Sequence, residues 1–104
     1  MPIIVEKQDS LESVRVEGEM TIYTASKLKD ELFMALRDTP TADIDLSQVS
    51  EFDSAGLQIL VLLHREASRS NQQLTLTASS PAVQDLLQVF GMEGFFGEST
   101  YGND

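Results

Sequence analysis

Asp45-Leu46-Ser47-Gln48-Val49-Ser50-Glu51-Phe52-Asp53-Ser54-Ala55-Gly56-Leu57 is the stretch on which the fold turns. Its upstream end belongs to Ala42-Asp43-Ile44-Asp45-Leu46, which alternates apolar and acidic residues with the period of a strand whose one face carries the two aspartates. Downstream, Leu57, Ile59, Leu60, Val61, Leu62 and Leu63 are almost continuously apolar before Arg65, Glu66 and Arg69 turn polar. This predicts a helix over residues 54–69 that is packed on most sides. Residues 47–53, polar and acidic, read as the short loop between strand and helix.

The flanking sequence completes a small α/β pattern. Residues 3–7 and 11–17 are expected to pair as a hairpin: Val14 and Val16 alternate with Arg15 and Glu17, and Gln8-Asp9-Ser10 supplies turn chemistry. Over residues 24–38, Ala25, Leu28, Leu32, Ala35 and Leu36 recur on one helical face, and Pro40 with Thr41 ends that helix. Gln73-Leu74-Thr75-Leu76-Thr77 alternates again as a strand. Ser80-Pro81 then reads as a helix cap followed by proline at the first helical position. On that last helix Val83, Leu86, Leu87 and Phe90 share a face, Gly91 is placed to end it, and Met92, Phe95 and Phe96 are expected to dock back onto the core. Residues 98–104 read as a loose tail. The expected fold is α/β: one small domain with a mixed sheet of four to five strands and helices mainly on one face.

Composition bounds the chemistry. At 104 residues and 41% hydrophobic content the chain suits one globular domain with a real core and little room for a deep substrate cleft. The absence of cysteine removes disulfides, thiolate metal sites and cysteine nucleophiles. A net charge of −10 repels nucleic-acid phosphates and anionic lipid. Between Arg37 and Arg65 there is no Lys or Arg, while Asp38, Asp43, Asp45, Glu51 and Asp53 fall there. The plain reading of these charges is a solvated face; partner steering is the sharper one. With neither a basic start nor a long apolar run, the expectation is a cytoplasmic protein with no secretory signal and no membrane insertion.

Ser54 is the hydroxyl to weigh. Its oxygen could cap the helix by accepting from an unpaired N–H. Alternatively, free N–H groups and the helix dipole would tolerate a phosphate there while Asp53 and the acidic loop oppose it, which is what a switch needs. Enzyme readings fare worse. A nucleophile elbow needs glycine where Phe52 stands, and His64 lies ten residues beyond Ser54, roughly 15 Å along a helix axis. His64 is therefore read as a plain helix residue. Asp43 and Asp45, with Asp53, offer the one magnesium possibility. Gly91, Gly94 and Gly97 precede neither lysine nor helix and read as turns. Gly56 reads either as a turn residue or as a point of close packing beside the site.

The sequence resembles the STAS domain of bacterial anti-sigma factor antagonists over nearly its whole length. The likeness runs from Val14-Arg15-Val16-Glu17-Gly18-Glu19-Met20-Thr21 and Tyr23-Thr24-Ala25, through Asp45-Leu46-Ser47 and Val49, to Asp53-Ser54-Ala55-Gly56-Leu57 and Ser79-Ser80-Pro81-Ala82-Val83. Thr21 stands where many relatives carry aspartate, and Ala55 where many carry Ser or Thr. The resemblance implies a phosphorylation site at Ser54 and a partner face of Asp53, Ser54, Ala55, Gly56, Leu57, Glu19, Thr21 and Tyr23. It implies as partner a serine kinase of the histidine-kinase-like ATPase fold that doubles as an anti-sigma factor, with a serine phosphatase to reset the switch. ATP and Mg²⁺ are bound by the kinase, so this chain carries no cofactor and catalyses nothing. Two alternatives are a non-phosphorylated accessory subunit of a lipid-transport ATPase and a small-ligand or nucleotide-binding module. A two-component receiver is disfavoured because no lysine follows Lys29.

Overall fold

The computed structural model describes residues 3–8 and 11–92. In chain order these are β1 (Ile3–Gln8), β2 (Leu11–Met20), α1 (Ala25–Leu36), β3 (Thr41–Phe52), α2 (Ser54–Arg69), β4 (Gln73–Ser79) and α3 (Pro81–Val89). The strands form one sheet in the order β1-β2-β3-β4. β1 and β2 are antiparallel, with Gln8 opposite Leu11, whereas β2–β3 and β3–β4 are parallel. The sheet is thus mixed and four-stranded, as the chain order of elements requires once each parallel pair is joined through a helix.

Alternation sorts the two faces. Val14, Val16 and Met20 of β2, Ala42, Ile44, Leu46 and Val49 of β3 and Leu76 of β4 enter one core with Leu28, Leu32 and Leu36 of α1, Leu57, Ile59, Leu60 and Leu63 of α2, and Val83 and Leu87 of α3. Arg15 and Thr77 are exposed on the other face, where Asp43 and Asp45 are half-buried. In α2 the apolar run behaves as its density predicts: Val61 and Leu62, off the main buried stripe, are still half-covered.

Three expectations need correction. Residues 47–52 are not a loop: β3 continues to Phe52, because its polar second half pairs with a β2 that itself runs on from Glu17 to Met20. The pairing slips twice there, between Arg15 and Glu17 and between Gly18 and Glu19, with Gly18 at φ +93°. Such irregularities break the period-2 pattern without ending the strand. Second, α1 stops at Leu36 rather than Asp38, since Asp38 adopts a left-handed φ of 61° that closes the helix. Third, Phe90 is not on the buried face of α3. It is the C-cap residue and is 54% exposed, while Gly91 (φ 65°) donates to Gln88 O and Met92 N–H to Leu87 O. The expectations for Asp9 and Ser10, for Gly94, Phe95, Phe96 and Gly97, and for the tail 98–104 lie outside the described residues.

The core makes a sharp contrast testable. Leu32→Ala, at a fully buried α1 position, is expected to lower stability in urea unfolding by about 2–5 kcal/mol. Met34→Ala on the same helix, 70% exposed, should stay within about 0.5 kcal/mol of the parent.

Candidate functional site

The parallel β2–β3 pair delivers two chain exits to the same end of the sheet, with Met20 beside Phe52 at the last rung. One exit, residues 21–24, leads into α1; the other is Asp53, the single residue between β3 and α2. Asp53 ties the two together. Its N–H donates to Met20 O (3.3 Å), and its carbonyl accepts from Leu57 N–H (3.1 Å). Its Oδ1 accepts from Ala55 N–H (2.9 Å) and Gly56 N–H (3.3 Å), and its Oδ2 from Ile22 N–H (3.1 Å). Asp53, in extended conformation, is therefore the N-cap of α2. Ser54 is the first helical residue, and its side chain is left exposed.

The turn before α1 is braced by its own hydroxyls. Thr21 is 6% exposed; its N–H donates to Thr24 Oγ1 (3.1 Å), and its Oγ1 accepts from Tyr23 N–H (3.3 Å) and donates to Glu19 Oε1 (3.3 Å). Thr24 Oγ1 donates to Glu19 O (2.9 Å) rather than capping α1. These bonds fix a tight turn whose tip, Ile22 and Tyr23, is 66% and 86% exposed. A large apolar side chain and an aromatic one are thus held out in water beside Asp53.

Gly56 settles between its two readings. A Cβ built there would lie 2.5 Å from Met20 O and 2.8 Å from the Phe52 ring, so the residue is a point of close packing between the first turn of α2 and the ends of both strands. A groove of about 610 Å³ lined by Phe33, Leu63 and Gln72 lies at the other end of β3, beside the Thr39-Pro40 turn and away from Ser54.

Known proteins resemble this chain in sequence and in fold. The family model described as "Mlab, STAS domain" matches residues 3–97. An anti-sigma-B factor antagonist of Staphylococcus aureus is 30% identical over 88 residues, covering 83% of this chain and 81% of its own. The crystal structure of an anti-sigma factor antagonist from Mycobacterium paratuberculosis superposes with a TM-score of 0.80 at 28% identity, covering 91% of this chain and 81% of that one. The anti-sigma factor antagonist SpoIIAA in its unphosphorylated form gives a TM-score of 0.72 at 20% identity, over 90% and 84% of the two chains, a likeness of fold. The chain belongs to the STAS family of anti-sigma factor antagonists.

Within this STAS domain the residues singled out from sequence fall into two groups. Ser54, Tyr23 and Glu19 are exposed and Ala55 is half-buried, so these four reach the surface at one end of the fold. Thr21, Gly56 and Leu57 are buried beneath them, and the Asp53 carboxylate is taken up by three backbone N–H groups. Those four underlie and brace that surface. Three further readings from the sequence are corrected. Ser54 is not the cap, because the longer carboxylate one residue earlier reaches both N–H groups. The helix N–H groups expected to be free for a phosphate are likewise held by Asp53. Asp53 also does not join Asp43 and Asp45: the Asp45 Oδ1 accepts from Ser47 N–H (2.8 Å), and among the described residues no three His, Asp or Glu side chains gather as a metal site. His64 remains with the half-buried flank of α2.

Sequence reading missed Ile22. The periodicity pointed the wrong way: Ile22 continues the even-numbered series Val14, Val16 and Met20, which reads as a buried strand position, whereas β2 ends at Met20 and leaves Ile22 on the turn.

The close approach at Gly56 generates a prediction. Gly56→Ala gains helix propensity, but its methyl meets a backbone oxygen that cannot rotate away. A net loss of about 1–3 kcal/mol is expected in thermal or urea unfolding.

Proposed function

We propose that this STAS domain is an anti-sigma factor antagonist in which Ser54 is the phosphoacceptor: the unmodified protein binds its anti-sigma partner, and phosphorylation releases it. The carrying observation is the division of labour at the start of α2, where Asp53 caps the helix and leaves the Ser54 hydroxyl exposed. The hydroxyl itself carries no capping bond that modification would break. The relatives named as antagonists support the partner class.

The partner is a serine kinase of the histidine-kinase-like ATPase fold, meeting this chain in the cytoplasm. It brings ATP and Mg²⁺, and the Ser54 Oγ attacks the γ-phosphorus as its proton passes to a base on the kinase and ADP leaves. A serine phosphatase restores the hydroxyl by hydrolysis. The chain itself catalyses no step. Its surface contribution is Ser54 and Ala55 with Tyr23, Ile22 and Glu19, held in place by Asp53, Thr21, Gly56 and Leu57. A phosphate dianion set about 4 Å from a single partner carboxylate costs roughly 2 kcal/mol at the dielectric of water and about four times that at an effective value of 20. Since about 1.4 kcal/mol is tenfold in affinity, one contact suffices to release the partner without refolding.

Incubation with the partner kinase and ATP should add one phosphate, mapped to Ser54 by mass spectrometry. By calorimetry Ser54→Ala should bind with parental affinity and not be released by ATP, and Ser54→Asp should bind at least about tenfold more weakly. A folded Ser54→Ala protein that fails to bind, or a phosphate placed elsewhere, overturns the reading. A chain that stays unmodified in its native cell and co-purifies with an ATPase subunit would fit the accessory-subunit alternative instead.

A further inference from the structure

We infer that Asp53 is a positioning residue that couples the state of Ser54 to the placement of Ile22 and Tyr23, so that phosphorylation alters the apolar part of the docking surface as well as its charge. This rests on the reading of Ser54 as the phosphoacceptor and adds to it a path by which the modification is felt away from its own atom.

The geometry is a carboxylate shared between two structural elements. Oδ1 serves the first turn of α2 through Ala55 and Gly56, and Oδ2 serves the turn before α1 through Ile22. Among the described residues the Ile22–Asp53 bond is the one side-chain hydrogen bond joining the 21–24 turn to the segment that carries Ser54. The turn is braced internally by Thr21 and Thr24, so Ile22 and Tyr23 move together when that bond changes.

A phosphoryl group on Ser54 acts on this carboxylate in two ways. It places a dianion one residue away from Asp53, and it introduces acceptor oxygens at the N-terminus of α2, where the N–H groups now serve Oδ1. Repulsion and competition both favour withdrawal of the carboxylate from its present seat. Oδ1 turns to solvent, and Ile22 N–H exchanges its charged acceptor for water. The exposed Ile22–Tyr23 tip is then no longer held in register with Ser54, and the partner meets a misplaced apolar contact in addition to the added charge.

The test uses the isolated full chain with phosphoserine installed at position 54 during translation, read by amide hydrogen exchange and chemical shift at Ile22 and Tyr23. No partner is needed, so the result is independent of whether a kinase modifies Ser54 in the cell. Phosphoserine should speed exchange at Ile22 roughly tenfold, the factor for loss of one charge-assisted hydrogen bond, and should move both amide resonances. Asp53→Asn and Asp53→Ser keep a capping oxygen for α2 and remove the carboxylate from Ile22; the serine variant guards against misfolding of the first. Each should raise Ile22 exchange by a similar factor before modification, and phosphoserine should then add little. Unchanged Ile22 and Tyr23 amides on phosphorylation of the parent, or an equal response in the Asp53 variants, overturns the coupling. Failure of Ser54→Ala to bind a partner would instead count against the switch reading and leave the amide result standing.

Discussion

Parallel pairing of β2 with β3 is the constraint from which the site follows. Parallel neighbours leave the sheet at the same end, so the connections into α1 and α2 must start side by side. The pairing persists to Met20 and Phe52, and the Met20 carbonyl accepts from Asp53 N–H immediately beyond it. At that point the first turn of α2 lies so close to β2 that only a hydrogen fits at position 56. A side chain there would force the helix start away from the strand end, and with it the carboxylate that reaches Ile22. The exposed tip before α1, the cap of α2 and the Ser54 hydroxyl are thus one construction, assembled by residues 30 or so apart in sequence because the sheet leaves them no other neighbours.

How much of this was legible depended on whether the signal was local. Ser80-Pro81 and Gly91 bracket α3 because a cap hydroxyl, a missing N–H and a left-handed φ act within one turn of chain. The α2 stripe was legible because its density exceeds what one face of a helix carries. The second half of β3 was not legible, since Gln48, Val49, Glu51 and Phe52 are held as a strand by pairing with β2 across two register slips, and pairing of that kind leaves no periodicity to read. Phe90 failed for the converse reason: its spacing from Leu87 and Leu86 is helical, but the helix ends one residue before it.

At the site the residue types were legible and their roles were not. Asp and Ser are both good caps, and adjacent in sequence either one can hold the helix start. The choice is made by reach: from Asp53 a single side chain serves Ala55, Gly56 and, across the fold, Ile22. Because the third of these partners is distant in sequence, no inspection of the Asp-Ser-Ala-Gly-Leu motif alone reveals why the carboxylate takes the structural duty. Thr21 is similar. Its hydroxyl accepts from Tyr23 N–H, a turn-forming bond that an aspartate side chain makes equally well, so the fold of the turn tolerates loss of the negative charge at this position.

On the proposed reading, the balance between attraction and release is set by quantities of similar size. Burying a side chain such as Ile22 or Tyr23 stabilises a complex by about 1.5–3 kcal/mol each. The charge on a modified Ser54 opposes docking by an amount of the same order when one like charge faces it. Screening confines that effect to about 8 Å at physiological ionic strength, so only partner groups that come to rest against the strand ends feel it. The general acidity of the chain, spread over a surface much wider than this, cannot supply the discrimination. It must come from the few ångströms around Ser54, which is why the rigidity with which Asp53 and Gly56 fix that neighbourhood matters more to a switch than the net charge of −10.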